Sequence, residues 1–191
     1  MRAFIAIELP PEVRNALGSL EAELKTSGAD VKWVKPENIH LTLKFLGERD
    51  EKKIKETMRI LDEVCAEKNS FSASVSSIGA FPNLDAPRVI WVGIGNGSAQ
   101  IKEIACELEE RISKLGIPKE DREFSTHITL GRTHSGLKRK ELTEKIKAIE
   151  INYSSRKDLK FEVNKITLLK STLTPGGPIY EALKTANLKS A

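Results

Sequence analysis

Cysteine, aromatic residues and long apolar runs are all scarce in this chain of 191 residues, and each shortage excludes a class of protein. Cys65 and Cys106 form no CxxC or zinc-like pair, and their helical, apolar surroundings predict two buried free thiols rather than a disulfide framework. No run approaches the roughly 18 apolar residues that cross a membrane. The apolar start meets Glu8 and two prolines, which is typical of a first strand and not of a signal peptide. We therefore expect a cytoplasmic protein.

The composition is otherwise that of an ordinary globular chain. Aromatic residues make up 5% of it, so the core must depend on Ile, Leu and Val. The net charge of +4 favours an anionic partner, although a solvated surface rich in Lys and Glu explains the same balance. The length fits one large domain or two fused lobes. We expect a monomer, because neither a heptad repeat nor a broad exposed apolar run is present.

Hydrophobic periodicity predicts an α+β fold of two similar lobes, formed by one domain over residues 1–191. Helices are predicted from Pro10-Pro11 to about residue 27, over 50–68, from an N-cap at Ser98 to about residue 115, and over 137–149. Strands are predicted over 2–9, 31–35, 39–47, 71–79, 88–95, 125–132, 161–171 and 178–183. The glycine-rich stretch 93–98 is interpreted as a turn, because its third glycine is misplaced for a nucleotide-binding GxGxxG motif.

Histidine is also rare, and two of the three histidines occupy matching phrases. His-Leu-Thr-Leu begins at His40 and His-Ile-Thr-Leu begins at His127, so each half of the chain carries one copy. Alternate residues of a strand share a face, so each phrase presents an imidazole and a hydroxyl together. A single His-x-Thr triplet in a strand is ordinarily explained by packing alone and has no catalytic role. Two copies predict a site that contains two imidazoles and the hydroxyls of Thr42 and Thr129.

Two histidines can divide acid–base work at phosphorus. An imidazole has a pKa of ~6.5, so one ring can deprotonate an attacking water or hydroxyl while the other protonates the departing oxygen. Threonine hydroxyls can hydrogen-bond the non-bridging phosphoryl oxygens. The scheme requires no metal and no other cofactor. A zinc site that includes His134 is disfavoured, because His-x-Thr lacks ligand spacing and His134 lies in a loop-like stretch, where we expect it on the surface.

The two phrases resemble the paired motifs of the 2H phosphoesterase superfamily. The closer resemblance is to the RNA 2',3'-cyclic phosphodiesterase family, also called the 2'-5' RNA ligases. It covers nearly the whole chain, and its blocks stand in the same order and spacing. These blocks are RAFIAIEL, WVKPENIHLTLKFLG, PRVIWVG, HITLGR and GPIY.

The resemblance implies two pseudo-symmetric lobes whose antiparallel sheets flank a central cleft, with helices on the outside. It implies that a terminal 2',3'-cyclic phosphate on RNA, such as that of a tRNA half, is opened to a 2'-phosphate. His40 would then be the proton donor to the 3' oxygen, and His127 the acceptor that activates water. Thr42 and Thr129 would hold the phosphate. The family also joins a 5'-hydroxyl to a cyclic phosphate through a 2'-5' bond. The two phrases alone leave donor and acceptor open.

Three further residues are candidates for substrate binding. The resemblance implies that Phe45 stacks on the terminal base and that Arg132 lies near the phosphate. Strict alternation puts both on the face opposite their histidine, where Phe45 would be a core aromatic and Arg132 a surface ion-pair partner. They reach the cleft only if the strands end, twist or bulge, as Gly47 and Gly131 allow. Alternation puts Lys44 on the face of His40, where it would attract phosphate or lie at the rim.

Two alternative functions stay open. One is a non-catalytic module that binds RNA ends, and the other is a 2H phosphodiesterase that acts on a small cyclic nucleotide. Trp91 and Tyr180 are expected to be packing residues.

Overall fold

Strands and helices alternate along residues 1–153 and 159–190, which are the residues that the computed structural model describes. Its helices are α1 Pro11–Lys25, α2 Glu51–Glu67, α3 Ser98–Ser113 and α4 Arg139–Tyr153, and a 3-10 turn covers Pro36–Asn38. Its strands are β1 Arg2–Glu8, β2 Val31–Trp33, β3 His40–Glu48, β4 Phe71–Phe81, β5 Val89–Ile94, β6 His127–Thr133, β7 Leu159–Val163, β8 Lys165–Thr174 and β9 Gly177–Asn187.

The strands form two antiparallel sheets, and each sheet contains one of the matching phrases. The first sheet has the order β3-β1-β8-β9, and the second has the order β2-β6-β5-β4-β7. His40 opens β3 and His127 opens β6. β3 also packs beside β6, which brings the two phrases to the junction of the sheets. The α+β architecture with antiparallel sheets is thereby confirmed.

Each helix lies where its sequence signals predict it. Pro11 stands at the first position of α1, where its missing N–H costs nothing. The Asp50 carboxylate accepts the backbone N–H of Lys53 at 2.9 Å and caps α2. The helices bury apolar stripes in a core made mainly of Ile, Leu and Val. None of the helices within the described ranges is long and apolar enough to span a membrane.

β1 is the central strand on which the core and the cleft meet, because it is buried on both faces. Ile5 and Ile7 point into the main core. Phe4 and Ala6 point the other way, into a small cluster with Leu169. This second face also contains His40, whose ring centroid lies 4.9 Å from that of Phe4. We call it the cleft face of the first sheet.

The predicted strand over 161–171 is wrong, because the chain breaks at Asn164 into two strands of different sheets. β7 pairs with β4 in the second sheet, and β8 pairs with β1 in the first. Buried apolar residues occur on both sides of the break, at Phe161, Val163 and Ile166, which favours a single strand from the sequence alone. The two consecutive exposed residues Asn164 and Lys165 interrupt the alternation and mark the break. The carbonyl of Asn164 accepts the backbone N–H of Leu188 at 2.9 Å, which holds the crossing point.

Two predictions about α3 are also wrong. Ser98 is its first residue and not its N-cap, since the cap is Gly97 in the left-handed region at φ 81°. A Cβ at Gly97 would lie 2.9 Å from the Ser72 carbonyl oxygen, so the close approach of β4 requires glycine. Cys106 is exposed because it lies beside the buried stripe of the helix, whereas Cys65 is buried as predicted; both thiols are free.

Candidate active site

In both phrases the same backbone contact fixes the histidine. His40 Nδ1 lies 2.7 Å from the carbonyl oxygen of Asn38, and His127 Nδ1 lies 2.7 Å from that of Ser125. A carbonyl oxygen can only accept, so Nδ1 bears the hydrogen in each ring. In the neutral ring Nε2 is then the basic atom. Each imidazole is therefore oriented by the residue two positions before it, with Nε2 left for chemistry.

Without substrate, the two Nε2 atoms differ in their hydrogen-bond partners. His40 Nε2 lies 3.0 Å from Thr42 Oγ1, so the threonine hydroxyl donates to it. Within the described part of the chain, His127 Nε2 bonds no protein atom. Thr129 pairs with Trp91 across the strands and lies on the face of His127, as alternation predicts. We call this face of the second sheet, which also contains Trp91, its cleft face. The structure therefore places each histidine and its threonine on the cleft face of their sheet.

A β-bulge follows the threonine in each phrase at the same position. On β3, Thr42 pairs with Ala6 and Lys44 with Ile5, which leaves Leu43 as the extra residue. On β6, Leu130 is the extra residue in the same way. A bulge inserts one residue and reverses the alternation beyond it. In both strands the third and fourth residues after the histidine therefore point to the same side. Every later residue points to the face opposite the one that strict alternation would give it.

The bulges place Phe45 and Arg132 on the cleft faces. Phe45 is 53% exposed, and its ring centroid lies 6.2 Å from that of Phe4. Arg132 pairs with Val89, which shares a face of β5 with Trp91. The extra residues are leucines, but both glycines lie next to an irregularity: Gly131 follows the bulge at Leu130, and Gly47, at φ 71°, follows a second bulge at Leu46. Gly131 also admits β2, since a Cβ there would lie 2.7 Å from a methyl carbon of Val31.

The same bulge makes the prediction for Lys44 wrong. Its side chain turns away from His40 and is buried, at 2% exposure. The Nζ atom lies 2.9 Å from Glu109 Oε1 and 2.9 Å from the carbonyl oxygen of Pro118. This ammonium therefore joins β3 to α3 and its following loop, and it does not face the phosphate site.

An aromatic ring stands perpendicular to each imidazole. Tyr180 lies 5.3 Å from His40 at 89°, and Phe81 lies 5.1 Å from His127 at 90°. Trp91 packs on Phe81 at a centroid distance of 5.1 Å. Tyr180 was expected to be a packing residue, but it contacts a motif histidine on the cleft face. Its partner His40 lies on a distant strand, so the sequence pattern contains no signal for the contact.

The charges around the two histidines have opposite signs. Burial lowers the pKa of His40, while the Asn38 hydrogen bond and the Glu8 carboxylate oppose this shift. Burial also lowers the pKa of His127, the Ser125 hydrogen bond opposes this, and the Arg132 guanidinium lowers it further. Both rings are therefore neutral at pH 7 in the free protein. One has an anionic neighbour and the other a cationic neighbour.

The third histidine lies outside this site. The side chain of His134 is 82% exposed, as predicted, and its Nδ1 lies 3.8 Å from Asp30 Oδ2. Over residues 1–153 and 159–190, no group of three or more His, Cys, Asp and Glu side chains is placed to hold a metal ion.

Comparison with known proteins identifies the family. The model of the LigT-like phosphoesterases matches the chain twice, over residues 7–91 and 92–180, so that each match contains one phrase. The RNA 2',3'-cyclic phosphodiesterase of Methanocaldococcus jannaschii is 38% identical over 185 residues, which are 96% of this chain and 99% of the relative. That of Archaeoglobus fulgidus is 36% identical over 184 residues, covering 96% and 98%.

A solved structure shares the fold. The protein TT0787 of Thermus thermophilus superposes with a TM-score of 0.82 at 28% identity, over 100% of this chain and 99% of that one. Two antiparallel sheets, each with a His-x-Thr phrase on its cleft face, define a 2H phosphoesterase. The chain belongs to the LigT-like family of these enzymes.

Proposed function

We propose that this protein hydrolyses the terminal 2',3'-cyclic phosphate of RNA to a 2'-phosphate. The observation that carries the proposal is the pair of histidines with Nδ1 bound to a carbonyl oxygen and Nε2 directed to the cleft. Relatives of nearly full length that are named RNA 2',3'-cyclic phosphodiesterase support the substrate.

In the proposed reaction, water attacks phosphorus while His127 Nε2 accepts its proton. The bond between phosphorus and the 3' oxygen breaks, and protonated His40 gives its Nε2 proton to that oxygen. The products are a 2'-phosphate and a 3'-hydroxyl, and proton exchange with solvent restores the two rings. Thr42 and Thr129 donate hydrogen bonds to the non-bridging oxygens. An anionic phosphate between the rings favours the imidazolium that His40 needs.

Two further side chains complete the substrate site. Phe45 offers an exposed ring at the cleft on which the terminal base stacks, and Arg132 pairs with the phosphate. The same geometry serves 2'-5' ligation if a 5'-hydroxyl replaces water. His127 then accepts the proton of that hydroxyl and His40 again protonates the 3' oxygen, which leaves a 2'-5' bond.

A product assay tests the proposal. The protein is treated with EDTA and incubated with an RNA that ends in a 2',3'-cyclic phosphate, and the end group is identified by mass spectrometry and phosphatase sensitivity. We expect a 2'-phosphate. Folded protein that binds this RNA but leaves the cyclic phosphate intact would show a binding module instead.

A substrate panel separates the remaining alternative. Cyclic mononucleotides and short RNAs with the same terminal base are compared at matched concentrations. Preference for RNA is expected, and turnover confined to the mononucleotides would contradict an RNA substrate.

A further inference from the structure

We propose that Glu8 is a positioning residue that favours protonation of His40 over protonation of His127, and that it thereby makes His40 the acid and leaves His127 as the base. This inference rests on the proposed function. The observation behind it is that two nearly identical phrases lie in different electrostatic surroundings.

The register of the first sheet places Glu8 beside His40. Glu8 is the last residue of β1 and pairs directly with His40 on β3. Residues that are directly opposite in an antiparallel pair share a face, with Cβ atoms about 4.5–5.5 Å apart. Glu8 forms no hydrogen bond to the imidazole, whose nitrogens are bound to Asn38 and Thr42. It acts on the ring through its charge.

A buried hydroxyl holds the Glu8 carboxylate in place. Thr167 on β8 is fully buried, and its Oγ1 donates to Glu8 Oε2 at 2.7 Å. Thr185 Oγ1 lies 3.3 Å from Thr167 Oγ1 and extends the contact to β9. These contacts fix the position of the Glu8 carboxylate on the face of the sheet that contains His40.

The described strands of the second sheet place no carboxylate opposite His127. The residue that pairs with His127 is Gly93, where a Cβ would collide with the hydroxyl of Ser77. The charged neighbour of His127 is Arg132, whose guanidinium disfavours a second positive charge. The matching phrases are therefore polarised in opposite directions, by Glu8 towards imidazolium and by Arg132 towards the neutral ring.

The other groups around His40 do not supply this charge. Phe4 from β1 and Tyr180 from β9 face the ring, and burial raises the pKa of the Tyr180 phenol, which stays neutral. Arg2 and Arg132 are cations that act on Tyr180. His127 lies across the junction of β3 and β6. Of these groups, Glu8 alone is an anion.

Glu8 also lines a cavity of about 600 Å³ between β1, the start of α1 and β7. Glu12, Arg14 and Lys165 are among its lining residues, and none of the four motif side chains is. Glu12 is thus an exposed carboxylate close to Glu8 that does not pair with His40. It provides a matched control.

Glu8→Gln keeps an oxygen for Thr167 and removes the charge. The ring pKa values of His40 and His127 are measured by NMR titration of the free protein, with peaks assigned from His40→Gln and His127→Gln. In Glu8→Gln we expect the pKa of His40 to fall and that of His127 to stay. Glu12→Gln should leave both as in the wild type.

The rate profile provides the second readout. On the alkaline side of the optimum, kcat/KM depends on the fraction of the acid that is still protonated. Because Glu8→Gln lowers the pKa of that acid, kcat/KM there should fall roughly three- to tenfold. On the acidic side it depends on the base and should not change. Glu8→Asp should restore most of the alkaline activity, because it restores the charge.

Two results would overturn the role of Glu8. One is an unchanged His40 titration in folded Glu8→Gln, and the other is a change confined to the acidic side, which would make His40 the base. The NMR titration needs no turnover. A wild type that fails to hydrolyse cyclic phosphate would therefore count against the proposed function, while the titration still decides whether Glu8 governs His40.

Discussion

At the scale of single residues, the site depends on contacts that the motif letters do not contain. The carbonyls of Asn38 and Ser125 orient the two rings, and these belong to the residues that lead into each strand. The letters His-x-Thr correctly predicted the shared face of imidazole and hydroxyl, because alternation is local. They could not predict Glu8 or Tyr180 as neighbours of His40, since strand pairing joins distant parts of the chain.

Glu21 is a second residue whose surroundings, rather than its type, determine its behaviour. It is fully buried in α1, and neither carboxylate oxygen has a hydrogen-bond partner. Burial raises its pKa from 4.5 to about 7, although the Lys25 ammonium 3.7 Å away opposes the shift. Because the folded state holds the proton more tightly, Glu21 costs little stability below pH 4.5. The cost grows as the pH rises to 7 and is complete above it.

We therefore expect Glu21→Gln to stabilise the protein in a pH-dependent way. The gain should approach roughly 3 kcal/mol above pH 7, as expected for a rise in pKa from 4.5 to about 7, and should shrink towards pH 5. Thermal unfolding of wild type and variant at pH 5 and pH 8 measures it, with exposed Glu12→Gln as the control. An equal gain at both pH values would contradict the ionisation argument.

At the scale of elements, the bulges at Leu43 and Leu130 decide which side chains reach the cleft. The sequence located β3 and β6 but could not place the bulges, because each extra residue is an ordinary leucine in an apolar stretch. Alternation correctly indicated that Phe45 and Arg132 can reach the cleft face only if their strands are irregular. Gly47 and Gly131 each lie next to a bulge, although the extra residue itself is a leucine. A change of sheet at Asn164 was also missed, because the exposed pair Asn164 and Lys165 is only a brief interruption between segments that both contain buried apolar residues.

The adjacent residues Lys44 and Phe45 should respond to substitution in opposite ways. Lys44→Met leaves the partly buried Glu109 carboxylate without its buried partner, so the free energy of unfolding should fall by about 2–4 kcal/mol while KM for cyclic-phosphate RNA stays near the wild-type value. Phe45→Ala should leave stability almost unchanged, since the ring is 53% exposed, and should raise KM several-fold. A large rise in KM for folded Lys44→Met would instead indicate that Lys44 contributes to phosphate binding.

At the scale of the whole molecule, two related halves supply one histidine each. The family model matches each half separately, and the bulge recurs at the same position in both. The two sheets, each of which contains strands from both halves, are nonetheless unequal, because their described strands number four and five and pair the histidines with Glu8 and Gly93. The repeated phrase predicted one acid and one base but left open which histidine takes which role. In the proposed reaction, the unequal surroundings of the two rings assign the acid to His40 and the base to His127.

The most direct test of this account removes one histidine from each half. His40→Ala and His127→Ala are compared with His134→Ala, which alters an exposed ring outside the site, by 2'-phosphate formation from cyclic-phosphate RNA and by melting temperature. We predict that each motif variant loses roughly 10²–10⁴-fold in kcat/KM with little change in melting temperature, whereas His134→Ala retains full activity. Full activity in either folded motif variant would contradict a two-histidine mechanism.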